Sequence, residues 1–326
     1  MSSGIWLEAH RRDLREALRR ISAYRDLWIP DLAVVLVLMI GTWLVFRLTS
    51  LDMEIERACY FAAGGGKPWA LQYGWPWRWF YRYAGLAVLM LALATFAFLV
   101  LGYFKPRLRV YRVHCFLVIL ALGLGPGLVV NLVFKEQWGR PRPVQVREFG
   151  GRWEYRGVLD KGHGGKGKSF PCGHSSVGYF LSVFYFLFRR QRRRLGVLML
   201  LLAVVLGTGM GLARMLAGAH FPSDVLWSAY LVFLVALVLY YFVINVPWRE
   251  DKGTTAGSMP SRRSLAIGAA LMVAIALGSL LAMPIYSEVL YTSQPMTGAP
   301  VPVEIRITVA GCDVDLAFQD SDVIRV

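Results

Sequence analysis

Seven apolar stretches set the terms for this chain. They run at about 30–50, 83–104, 113–134, 173–188, 195–213, 224–246 and 264–285. Each meets or approaches the roughly 20 residues that an α-helix needs to cross a bilayer. The fourth is short; it either starts deeper or ends in a protein-lined cavity, where lipid need not be spanned. Composition agrees. Hydrophobic residues make up 56% of the 326 and charged residues 17%, against about 25% charged in a soluble domain. The expected fold is an all-α membrane protein.

The formal net charge of +15 would suggest nucleic acid in a soluble protein. Here the cations sit in short loops between spans, as the positive-inside rule describes, and no nucleic-acid partner is expected. Lys105, Arg107, Arg109 and Arg112 follow span two. Arg189, Arg190, Arg192, Arg193 and Arg194 follow span four, and Arg249, Lys252, Arg262 and Arg263 follow span six. With the N-terminal arginines they fall on one side, predicted cytoplasmic. The aromatic segment 51–82 (Trp69, Tyr73, Trp75, Trp77, Trp79, Phe80, Tyr81) then lies outside and is expected to rest at the interface.

Residues 1–28 read as an amphipathic helix lying in the membrane interface: Leu7, Leu14, Leu18 and Ile21 share a face, with Arg11, Arg12, Arg15, Arg19 and Arg20 around the rest. They are too charged for a secretory signal peptide. Residues 247–263 form a cytoplasmic loop, 264–286 the seventh span, and 287–326 a small extracytoplasmic tail whose Val303–Val309 alternation predicts a strand. Cys59, Cys115, Cys172 and Cys312 form no CxxC pair, so neither a zinc site nor a redox motif is expected. Cys59 and Cys312 would share the oxidising side, where a disulfide can form if they meet. The glycine-rich run 161–168 reads as a mobile loop.

The outside segment 135–172 holds nine basic residues and four acids, against the rule. Anion binding would account for them. Three clusters fall on that same side by parity: Lys135 to Pro143 after span three, Ser169 to Ser175 opening span four, and Arg214, His220 and Asp224 between spans five and six. Lys135, Arg142 and Arg214 can hold one tetrahedral oxyanion, the arginines in bidentate fashion. The helix opening at Pro171-Cys172-Gly173 presents backbone N–H groups to the same anion, and Gly173 permits a close approach. Two histidines can divide phosphoryl transfer, one attacking phosphorus and the other protonating the leaving oxygen. Asp224, four residues after His220, can orient its imidazole. Taken singly, each is an ordinary anchor or cap; His10, His114 and His163 are read that way.

These segments resemble the three signature motifs of the type 2 phosphatidic acid phosphatase superfamily, shared with bacterial acid phosphatases and vanadium haloperoxidases. Lys135, Arg142 and Pro143 match the first motif. Pro171, Gly173 and His174 match the second, with Cys172 in place of serine. Arg214, His220 and Asp224 match the third, with Ala213 in place of serine. The resemblance covers roughly 135–224. It implies a six-helix transmembrane phosphatase core, here 29–246, in a bacterial inner membrane with the site facing the periplasm or outside. It further implies His220 as the nucleophile forming a phosphohistidine, Asp224 as its orienter, and His174 as general acid. Lys135, Arg142, Arg214, Cys172 and Gly173 would bind phosphate, with no metal or cofactor. A thiol is a weaker donor than a hydroxyl, so Cys172 should hold phosphate less well.

The expected activity is removal of phosphate from a membrane lipid phosphate or diphosphate: undecaprenyl diphosphate, phosphatidylglycerol phosphate, phosphatidic acid or lipid A. A lipid phosphotransferase would use the same site. A transporter would need broken helices; Gly123, Gly125, Pro126, Gly127 and Asn131 do interrupt span three, and close helix packing is the preferred reading. A haloperoxidase is disfavoured by the membrane spans.

Overall fold

A computed structural model describes residues 15–16, 18–62, 68–162 and 167–256. The chain divides into two units, Met1–Ile275 and Ala276–Val326, and every described residue belongs to the first. The seventh stretch, the tail strand, Cys312, His10 and His163 lie outside the described residues.

Five helical segments are long and apolar enough to cross a membrane: Arg25–Leu48, Trp77–Phe104, Pro106–Gln145, Arg193–Met215 and Pro222–Val243. We label Arg25–Leu48 α1, Leu51–Phe61 α2, Trp77–Phe104 α3 and Arg112–Leu122 α4. The third stretch continues from α4 as a wide π-type coil over Gly123–Lys135. α5 (Gly173–Tyr179) and α6 (Val183–Phe188) join through a 3-10 turn, so 173–188 is helical throughout but shorter than the other five. α7 is Arg193–Met215, α8 Pro222–Val238 and α9 Val246–Asp251.

The expected all-helical architecture is what the structure has. Among the described residues there is no strand, only a single bridge between Val146 and Trp153. Helix bounds moved where amphipathic aromatics extend an apolar run. Span two begins at Trp77 rather than 83, directly after Pro76. The amphipathic N-terminal helix is interrupted by a turn at Ala23–Tyr24, and α1 starts at Arg25.

The outer faces are apolar: Val37, Leu48, Leu86, Leu132, Leu198 and Val205 are all exposed. Such a belt is stable against lipid and unstable against water. Inside, Val113, Leu117, Phe180, Phe186, Val232 and Tyr240 form the main core. α5 packs against α7 and α8, and α8 also packs against α1 and the π-coil. The wide coil keeps its glycines where neighbours come close, since a Cβ on Gly125 would touch Val232 and Val235. Asn131 Nδ2 donates to Pro126 O at 2.7 Å, one turn back along the same coil.

At the end remote from the three motif clusters, polar side chains tie the helices together. His114 Nε2 lies 2.9 Å from Glu250 Oε1, so His114 is structural, as read from sequence. Arg190 pairs with Glu250 at 3.0 Å and with Asp251 at 2.7 Å, and Arg189 pairs with Asp31.

Segment 51–82 is not a single loop: Leu51–Phe61 is helical, and while Tyr73, Trp75, Trp79 and Tyr81 are exposed, Trp69 is not. Trp69 is buried and its indole N–H donates to Glu56 Oε1 at 3.0 Å. Nor is 161–168 loose at its ends. Gly162 N donates to Trp138 O at 3.0 Å, and Gly167 lies so close to Arg140 that a Cβ there would collide with its backbone.

Candidate active site

The three clusters meet at one end of the helical unit. Pro222, whose absent N–H costs nothing at a helix start, opens α8 and places Asp224 in its first turn. Asp224 Oδ2 accepts from Phe221 N at 2.8 Å and from Ser169 Oγ at 2.6 Å. Its carbonyl accepts from Cys172 N at 3.1 Å, which stitches the start of α8 to the start of α5. The Cys172 backbone N–H, expected to serve phosphate, is therefore engaged by the protein. Gly173 remains at the helix opening, and a Cβ there would collide with the Asn131 side chain and come within 3.3 Å of Lys135 Nζ.

His220 is buried. Its Nδ1 lies 2.5 Å from the Ser169 carbonyl oxygen and 3.8 Å from Asp224 Oδ2. A carbonyl can only accept, so Nδ1 carries a proton, and in the neutral ring Nε2 keeps its lone pair. The Nδ1–H thus donates to a backbone carbonyl and not directly to Asp224, and Asp224 secures the residue that carries that carbonyl.

His174 is half-buried and stacks on Tyr81, ring centroids 5.5 Å apart and planes within 8°. The Arg214 guanidinium lies over the same Tyr81 ring at 4.9 Å. Arg214, Lys135, His220 and Arg142 are all near enough to act on His174 electrostatically. No carboxylate among the described residues forms an ion pair with Lys135, Arg142 or Arg214, and Arg214 Nε is buried without a hydrogen-bond partner. Buried donors are rarely left unmatched. A tetrahedral oxyanion between these three cations would match them.

Cys172 is fully buried with its thiol near the His220 imidazole. Burial opposes ionisation, but the interactions with His220 and Ser175 outweigh it and bring the thiol down to about 6. Ala213 is buried in α7 one residue before Arg214.

Of the nine basic residues in 135–172, Lys135 and Arg142 join the site, while others have local partners. Arg147 pairs with Glu154 at 2.6 Å and Lys168 with Glu136 at 2.8 Å. Arg140, unassigned in the sequence reading, is fully buried beneath the site. Its Nη1 donates to Asp224 Oδ1 at 2.5 Å, its Nη2 to Asp52 Oδ2 at 2.7 Å, and its Nε to Arg156 O at 2.9 Å. Asp52, Ser169, Tyr81 and Tyr155 were likewise unassigned. One sequence signal pointed to Asp52: it and Glu56 form an i,i+4 acid pair in an otherwise aromatic segment, and both prove buried. Among the described residues no group of three or more His, Cys, Asp or Glu side chains could hold a metal ion.

A helical membrane protein in which three cations without acid partners among the described residues gather with two histidines at one end has the site expected of the phosphoryl-transfer class. The comparisons narrow this. The PAP2 superfamily profile matches residues 115–248. A lipid A 4'-phosphatase of Francisella tularensis subsp. novicida is 32% identical over 207 residues, covering 63% of this chain and 92% of that protein. A lipid A 4'-phosphatase of Rhizobium leguminosarum is 34% identical over 120 residues, 35% of this chain and 49% of its own length. A lipid A 1-phosphatase of Rhizobium johnstonii is 36% identical over 117 residues, 34% and 43% respectively. The chain thus spans about half or less of the rhizobial proteins. No solved structure matches it significantly. The chain belongs to the PAP2 superfamily; it is an integral membrane phosphate-ester hydrolase of the lipid phosphatase type.

Proposed function

We propose that the protein removes a phosphate from a lipid A-type phosphoglycolipid through a phosphohistidine on His220, without a metal ion, at the outer face of a bacterial inner membrane. The observation that carries the chemistry is the set of three cations, Lys135, Arg142 and Arg214, without carboxylate partners among the described residues and beside two histidines. The lipid A assignment rests on the relatives named above.

His220 Nε2 attacks phosphorus as the ester P–O bond breaks, and the electron pair leaves on the lipid oxygen, which takes a proton from His174. Water then attacks phosphorus and gives its proton to His174, while the N–P pair returns to Nε2 as phosphate departs. The three cations and the Gly173 N–H neutralise the charge spread over the transferring group, which is most of the catalytic task. A cradle of cations also repels a metal ion, which supports metal independence.

The test is phosphate release by detergent-solubilised protein in EDTA. The panel is lipid A, undecaprenyl diphosphate, phosphatidylglycerol phosphate and phosphatidic acid. Lipid A should be the preferred substrate. His220→Ala should abolish turnover, and His174→Ala should lower it about 10²–10⁴-fold. Full activity in His220→Ala would sink the mechanism. Preference for a different lipid would sink the substrate assignment and leave the mechanism standing.

A further inference from the structure

Beneath the site a buried polar network joins the first extramembrane helix to the histidine. Asp52, in the first turn of α2, is 1% exposed and Arg140 is 0% exposed. Asp52 Oδ2 accepts from Arg140 Nη2 at 2.7 Å, from Ser223 Oγ at 2.5 Å and from Tyr155 OH at 3.0 Å. Asp52 Oδ1 accepts from Ser223 N at 3.0 Å, one residue before Asp224. Arg140 holds Asp224 Oδ1 with its other terminal nitrogen, and the Phe221 ring lies 4.7 Å from the guanidinium.

From Asp224 the network reaches Ser169 twice: Asp224 Oδ2 accepts the Ser169 hydroxyl, and Arg140 O accepts Ser169 N at 3.0 Å. The Ser169 carbonyl is what fixes His220.

We propose that Asp52, acting through Arg140, Asp224 and Ser169, is a positioning residue that sets the His220 imidazole for attack. This rests on the reading of His220 as the nucleophile. Stability alone is a poor reason for the arrangement, because a buried ion pair gains little over an apolar pair of the same shape. Geometry is a better one. His220 has one ring nitrogen tethered, and misplacing a reacting atom by about 1 Å can cost on the order of 10²-fold in rate. The network also carries two carboxylates against one guanidinium, so surplus negative charge lies buried near an imidazole that becomes cationic as Nε2 takes the phosphoryl group.

The experiment is a double-mutant cycle on the solubilised full chain, with lipid A as substrate and phosphatidic acid as a second. Asp52→Asn should lower kcat on the order of 10–100-fold and leave KM within twofold, because the phosphate cradle is untouched. Asp52→Glu should recover part of the loss. In an Asp224→Asn background, adding Asp52→Asn should cost under threefold, since both act along one path. Should Asp52→Asn fail to fold, Tyr155→Phe removes one donor to Asp52 and keeps the ion pair; kcat should then fall at least threefold at unchanged KM. A kcat within twofold of wild type, a loss confined to KM, or losses that multiply fully in the double variant would overturn the proposal. The cycle is read alongside His220→Ala: if that variant is inactive and Asp52 behaves as neutral, only the positioning role fails.

Discussion

Cys172 stands where the superfamily motif has serine, and the difference is one of charge as well as donor strength. With the thiol brought down to about 6 by its interactions with His220 and Ser175 against the opposition of burial, it becomes a thiolate as pH rises through that value. A negative charge then lies beside the phosphate cradle, where substrate brings negative charge of its own. Serine cannot ionise there. The ratio of kcat/KM for Cys172→Ser to that for wild type should therefore climb between pH 5.5 and 8, mainly through a rising wild-type KM. Parallel pH–rate profiles would settle it, and a ratio flat across that range would show that the thiol stays neutral. At this scale the gathering was legible wherever a residue's type suggested phosphate chemistry: Lys135, Arg142, Arg214, His174 and His220 meet at one end. It was not legible for Ser169, whose contribution is a backbone carbonyl, or for Arg140, which looks like any loop arginine until burial and two carboxylates single it out.

Among the elements, the short fourth stretch is the most informative. Because 173–188 cannot shield itself from lipid by length, it is enclosed by α7 and α8, and the contact with α7 is backbone to backbone. A Cβ on Gly178 would lie 2.6 Å from Gly207 Cα, and one on Gly207 would run into the Tyr179 ring. Tyr179 OH lies 2.9 Å from Thr208 Oγ1 across the same crossing. Small residues that bring two backbones together are the usual means of joining helices in a membrane. Gly178→Val should push α5 off α7. Backbone cannot yield as a flexible side chain would, so a loss of at least about 1–3 kcal/mol is expected. The thermal transition of the solubilised protein should fall by several degrees, and Gly41→Val is the control, since nothing lies within 4 Å of a Cβ there. Equal shifts in the two variants would show that the crossing tolerates bulk. The helices themselves were readable because apolar length is a local property. The register at Gly178 and Gly207, and the burial of Asp52 and Glu56 on one side of α2, depend on partners distant in sequence.

For the whole molecule, charge asymmetry and the position of the site make one topological statement. The loops expected inside carry Lys105, Arg107 and Arg109 after α3 and Arg192 to Arg194 before and within α7, at the end opposite His220. The site end carries more cations than the positive-inside rule favours on an outer face. Among the described ones, however, Arg140, Arg147 and Lys168 are matched by acids, as is Arg47 by Asp160 at 3.1 Å. Acid pairs occur at the far end too, Arg189 with Asp31 and Arg190 with Glu250 and Asp251, so the rule's case for the proposed outward site rests on the short loops after α3 and before α7 and not on a count of unpaired cations. Accessibility can decide it. In a background with Cys59 and Cys312 replaced by serine, Glu148→Cys lies on the exposed segment beside the site and Lys105→Cys at the exposed far end of α3. A membrane-impermeant maleimide should label Glu148→Cys on cells whose outer membrane alone has been opened, and Lys105→Cys only after the inner membrane is breached. The reverse pattern would place the site in the cytoplasm, and its substrate would then have to present its phosphate on the inner leaflet.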